Sequence, residues 1–152
     1  MQSTAPAARA LPGVDALLDH FHGRDDAVIA LLTGNFQPSA RLKLEPLGLW
    51  HYFRCGAFGD DAPDRNGLVP VAVMRAQACG HEDAAAAHAV VIGDTPHDVR
   101  CAAAHGARSL AVMTGGCSAE ALLAAGADAV VPDLSDTALV VAIIDELSAM
   151  PS

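Results

Sequence analysis

Basic residues are scarce in this 152-residue chain: nine Lys and Arg, with Lys43 the only lysine, stand against eighteen Asp and Glu. The formal charge of −9 excludes a long phosphate backbone as partner, because nucleic-acid binding relies on cationic side chains displacing condensed counterions. A small anion is not excluded, since it responds to the local field rather than to net charge. Aromatic residues are few as well, at 4%, so a core must be built mostly from Ala, Val and Leu. The four cysteines, Cys55, Cys79, Cys101 and Cys117, show no C-x-x-C spacing and no paired histidines nearby. That argues against a zinc site and for reduced thiols in a cytoplasmic protein. No apolar run reaches the roughly 18 residues of a membrane span. The opening "MQSTAPAARA" lacks the basic start and apolar centre of a secretory signal and reads as a disordered, Ala-rich tail over 1–10.

What is present fits one folded domain over residues 11–150. Hydrophobic residues make up 52% and charged residues 18% of the chain, and a domain of this length buries about 70% of the surface its unfolded chain exposes. Short apolar runs at 27–33, 53–58, 88–94, 108–114 and 128–132 alternate with helix-periodic segments at 13–22, 38–47, 66–79, 97–105, 118–125 and 135–149. This alternation predicts an α/β fold, a parallel sheet flanked by helices. The near-continuous apolar character of the strands predicts that most are covered on both faces. Ligands in such sheets bind at the carboxyl ends of strands, against helix N-termini. That edge collects "TGN" (33–35), "FGDDAPDR" (58–65), "GDTPHD" (93–98) and "TGG" (114–116).

Two of these stretches carry the candidate chemistry. Asp94 ends a strand and Asp98 stands near the start of the next helix, so both carboxylates can turn to one point. Grouped oxygen ligands suit Mg²⁺, which keeps several waters and takes one or two carboxylates. Equally, Asp98 can cap the helix while Asp94 stabilises the turn. Thr33, Gly34 and Asn35 set a hydroxyl, an open backbone and an amide side by side, a trio able to hydrogen-bond a phosphoryl oxygen or simply to end a strand. Gly115 and Gly116 are turn formers or contacts of the same edge. His97 is solvated or structural, and the remaining histidines are too scattered to form a ligand set.

Taken together, "LLTGN" and "IGDTPHDV" resemble the second and fourth motifs of the haloacid dehalogenase superfamily of phosphohydrolases, most closely its phosphoglycolate-phosphatase-like branch. The runs "LPGVDALL", "TGNFQPSARLKLEPLGL", "GAFGDDAPDRNGLVPVA" and "VMTGGCSAEALLAAGADAVVPDLSDT" extend the resemblance from about residue 11 to 145. It implies a three-layer Rossmann-like core and a small phosphorylated metabolite as substrate. It also implies phosphate binding by Thr33, Gly34 and Asn35, and a Mg²⁺ site held by Asp94 and supported by Asp98. The family's third motif is a basic residue beside the phosphate. Lys43 and Arg65 are the nominees, and Arg65 is preferred because Lys43 is expected midway along a helix running away from the ligand edge.

The resemblance also exposes what is missing. Family members begin with a central strand ending in Asp-x-Asp, whose first aspartate attacks phosphorus and whose second serves as acid and base. No Asp-x-Asp occurs in this sequence, nor does the family's cap, which usually selects the substrate. Three expectations follow. The nucleophile is lacking, Mg²⁺ binding is weak or absent, and the sheet lacks its usual first strand between the strands ending at Thr33 and Asp94. The chain therefore reads as a phosphomonoester hydrolase core that is inactive alone. The other readings are one half of a split phosphatase completed by an N-terminal fragment, and a non-catalytic phosphate-binding or subunit-interaction module that pairs as a homodimer. Dehalogenation of a 2-haloacid needs the same absent aspartate.

Overall fold

The computed structural model describes residues 13–33, 35–53, 55–63, 67–81 and 84–149. The tail expected over 1–10 and the site candidates Gly34 and Arg65 lie outside the described residues.

Strands and helices alternate as the apolar pattern predicts. Helix α1 (Val14–His22) precedes β1 (Ala30–Leu32), α2 (Gln37–Leu44), β2 (Cys55–Ala57) and α3 (Leu68–Ala78). There follow β3 (Val90–Gly93), α4 (Pro96–Ala104), β4 (Arg108–Val112), α5 (Ala119–Ala124), β5 (Ala129–Val131) and α6 (Thr137–Ala149). The strands are shorter than the apolar runs that announce them. The starts of α4 and α5 are chemically marked. Thr95 caps α4 from just before Pro96, and Ser118 accepts the Ala121 N–H at 3.1 Å to cap α5.

All strand pairings among the described residues are parallel, but they form two sheets. β1 pairs with β2, Leu31 opposite Gly56, while β4 lies between β3 and β5 with Ile92 opposite Leu110 and Leu110 opposite Ala129. No ladder joins β1 to β3 among the described residues. The break falls where the resemblance predicts the absent strand. Leu32 of β1 and Val91 of β3 nevertheless pack against one cluster formed by Val69 of α3 with Ala102 and Ala107. Helix α3 thus bridges the two sheets across the break.

β4 is the best covered strand, and its side chains alternate between two cores. Leu110 and Val112 join Leu17 of α1, Val131 and Val140 of α6 on one face, while Ala111 joins Val99 of α4 and Leu122 of α5 on the other. Coverage falls off toward the break. Ile92 of β3 is 41% exposed, whereas its register partner Leu110 is fully buried. The expectation that most strands are covered on both faces holds for β4 and fails for β3, whose Ile92 is exposed.

Candidate functional site

At the end of β1 the ladder continues one residue further, as the Thr33 N–H donates to the Ala57 carbonyl at 3.2 Å. The Thr33 hydroxyl oxygen then accepts two hydrogen bonds at 3.1 Å, from the backbone N–H and the side-chain amide of Asn35. A hydroxyl oxygen with two such donors has its own proton left to give. The Asn35 carbonyl in turn accepts the Gly59 N–H at 2.8 Å, tying this turn to the loop after β2.

Lys43 departs from expectation. It sits in the last turn of α2, and its ammonium donates to Asn35 Oδ1 at 3.3 Å. Helical side chains lean toward the helix N-terminus, and a lysine stem adds four methylenes of reach. Position along the helix locates the Cα and says nothing of where the ammonium ends up. Lys43 therefore brings a cation to the Thr33–Asn35 turn.

At the end of β3, Asp94 and Asp98 are adjacent but do different things. Asp98 Oδ2 accepts from the N–H groups of Asp94 and Thr95, at 3.2 and 3.3 Å, and from the Thr95 hydroxyl at 3.0 Å. The Asp98 N–H donates back to Thr95 Oγ1 at 3.3 Å, closing a capping box. The helix-capping role is thus real, and it fixes the backbone that carries Asp94.

Two glycines permit this packing. A Cβ on Gly93 would come within 2.3 Å of Asp98 Cβ, and one on Gly115 within 2.7 Å of the Asp94 carbonyl and 2.8 Å of its carboxylate. Gly115, in the turn after β4, is therefore a wall of the Asp94 site. Only the "TGG" turn hinted at it in the sequence.

The acids of the "FGDDAPDR" stretch include one whose structural partner the sequence does not announce. Asp61 accepts the Phe58 N–H at 2.7 Å and both guanidinium nitrogens of Arg75, at 2.7 and 2.8 Å, while Arg75 also donates to the Gly56 carbonyl at 2.7 Å. The Arg75 guanidinium first, and the Phe58 N–H second, hold the Asp61 carboxyl below the usual carboxylate range. A depressed carboxyl contributes stability that is present above the unfolded value, about 4, and is lost as pH falls through the lower folded value. Asp61→Asn should therefore cost about 1–3 kcal/mol at pH 7. Urea unfolding from pH 7 downward should show the deficit narrowing below about pH 4; a constant deficit would refute the assignment.

Thr33, Asn35 and Lys43 thus form one group at the end of β1. Asp94, Asp98 and Gly115 form another at the ends of β3 and β4, and the sheet opening lies between these strands. No hydrogen bond joins the two groups among the described residues. His97 lies apart, its Nε2 3.6 Å from Cys101 Sγ one turn along α4. Among the described residues no cluster of three or more His, Cys, Asp or Glu surrounds a point fit for a metal ion. The donor set at Asp94 is one carboxylate with a second nearby whose Oδ2 is engaged in the turn. That suits a weakly held, largely hydrated Mg²⁺ and no tighter site.

The sequence pattern of the HAD-hydrolase-like family matches residues 69–137. This stretch runs from α3 to the start of α6 and includes the Asp94 turn. Over these residues the chain is similar to haloacid dehalogenase-like hydrolases. A β-phosphoglucomutase-like protein from Thermotoga maritima superposes with a TM-score of 0.76 at 24% identity, over 89% of this chain and 61% of that one. A hydrolase from Pseudomonas syringae superposes at 0.72 with 27% identity, over 90% and 59% of the two chains. A haloacid dehalogenase-like family protein from Streptococcus pneumoniae does so at 0.69 with 21% identity, over 86% and 59%. The chain thus spans about three fifths of these structures. No curated protein matches the sequence. Among the described residues, no helix is long and apolar enough to cross a membrane.

Proposed function

We propose that this chain is the phosphate- and metal-handling core of a Mg²⁺-dependent phosphomonoester hydrolase of phosphoglycolate-phosphatase-like type, acting on a small phosphorylated metabolite in the cytoplasm. The observation that supports the reading is a proton-donating Thr33 and an Asp94 carboxylate at the carboxyl ends of β1 and β3, the strands that flank the sheet opening. Thr33 donates its free proton to a phosphoryl oxygen, and Asn35 orients that hydroxyl. Lys43 supplies positive charge beside the same oxygen, in the part expected of Arg65. Asp94 is the ligand for Mg²⁺ and Asp98 its positioning residue. When bound, the metal would offset negative charge on the phosphoryl group.

Hydrolysis through an aspartyl-phosphate needs an attacking carboxylate between these groups, and residues 13–149 contain no Asp-x-Asp to supply it. On this reading the chain binds phosphate and does not turn over alone. The inner edges of β1 and β3, which share no ladder among the described residues, favour a second reading, in which a strand from another polypeptide completes the sheet. Two measurements on the purified chain test both. Inorganic phosphate titrated by NMR should perturb Thr33, with an affinity at least about tenfold weaker in Thr33→Val. Release of p-nitrophenol from p-nitrophenyl phosphate with Mg²⁺ should stay at background. Turnover abolished by Asp94→Asn would overturn the claim of inactivity, and phosphate binding unchanged in Thr33→Val would overturn the assigned site.

A further inference from the structure

Away from the strand ends, an open cavity of about 320 Å³ lies against β2 and α3, with Trp50, Phe53, Phe58 and Arg75 in its wall. Two cysteines share that wall. Cys55 opens β2 and is half-buried, while Cys79 caps the C-terminus of α3 and is exposed. The two residues line the same cavity, and Cys79 stands near enough to act on the Cys55 thiol. The positions are held independently of the sulfurs. The Cys79 N–H donates to the Arg75 carbonyl at 2.9 Å, and the Arg75 side chain is bound to the Gly56 carbonyl, next to Cys55, at 2.7 Å. Arg75 thus ties the end of α3 that carries Cys79 to the strand residue beside Cys55.

We propose that Cys55 and Cys79 are a modification site, a dithiol that hydrogen peroxide converts to an intrachain disulfide. Cys79, the exposed member, attacks first as its thiolate. Its sulfur bonds to one peroxide oxygen, the O–O bond breaks, and the other oxygen leaves as water after taking a proton, so that Cys79 becomes a sulfenic acid. The Cys55 sulfur then displaces that hydroxyl. The S–S bond forms, the S–O bond breaks, and a second water leaves with the Cys55 proton. Two thiols and one peroxide give one disulfide and two waters. Burial first, and Cys79 second, push the Cys55 thiol up to about 11, which leaves the first attack to Cys79. The closed loop would hold residues 55–79, and with them the Asp61–Arg75 pair, between two covalently joined ends.

Mass mapping of wild-type chain after one equivalent of hydrogen peroxide tests this directly. The titratable thiols should fall from four to two. Trypsin without reductant should release peptide 55–65 joined to peptide 76–100, two hydrogens lighter than their sum and separated again by dithiothreitol. Reduced protein should bind phenylarsine oxide one to one, and Cys79→Ala should abolish both reactions. Cys55→Ala should leave a sulfenic acid at position 79 that dimedone traps. Four thiols remaining after peroxide, a disulfide between chains, or a bridge to Cys101 or Cys117 would each overturn the proposal.

Discussion

Gly115→Ala is expected to weaken divalent-cation binding at Asp94 by roughly 10- to 100-fold, the range seen when a group supporting a ligand is displaced, while the chain stays folded. The new methyl carbon would lie 2.7 Å from the Asp94 carbonyl and 2.8 Å from its carboxylate, closer than real Cβ atoms approach other groups. Either the turn after β4 or Asp94 itself, carbonyl and carboxylate together, must move. Asp98 Oδ2 anchors the N–H groups of Asp94 and Thr95, so either shift takes the carboxylate out of the place this turn gives it. Gly116→Ala is the matched control. That residue has φ +86°, and a Cβ added to it would meet nothing within 4 Å. Alanine there should cost about 1–2 kcal/mol of backbone strain and leave the affinity unchanged. Mn²⁺ titration followed by paramagnetic broadening of the Asp94 and Gly115 amide signals reads both variants. Equal affinities in wild type and Gly115→Ala would remove Asp94 as the metal ligand.

The order of elements was legible because each strand is a short apolar run ending in a polar turn. The cap of α4 was legible in part: the sequence offered Asp98, whereas Thr95 is the N-cap and Asp98, three residues on, completes a capping box with it. Asp98 shows the limit of spacing, since the same residue type at the same place suits a metal shell and a helix cap. Only the three donors around Oδ2 tell what it does in this fold. Lys43 shows another limit. Position along α2 gives its Cα, whereas the reach back to Asn35 depends on side-chain direction and stem length. The Asp61–Arg75 pair was hidden for a third reason, because its partners are fourteen residues apart on a loop and a helix whose docking only the tertiary fold decides.

The sheet opening gives the largest contrast in stability. Leu110→Ala should cost about 3–5 kcal/mol, a large share of the 5–15 kcal/mol that holds a domain folded. Leu110 is fully buried between β3 and β5, packed with Leu17, Val131 and Val140, and the surrounding helices cannot all collapse into the space it leaves. Ile92 stands directly beside it in the ladder, in an equally apolar run, and sequence alone would rank the two alike. Yet Ile92 is 41% exposed, so Ile92→Ala should cost about 1 kcal/mol or less. Urea unfolding of the two variants under identical conditions measures the difference. A cost at Ile92 as large as that at Leu110 would mean that the free edge of β3 is covered in solution. Native mass measurement of the same sample would then show whether a second copy of the chain covers it.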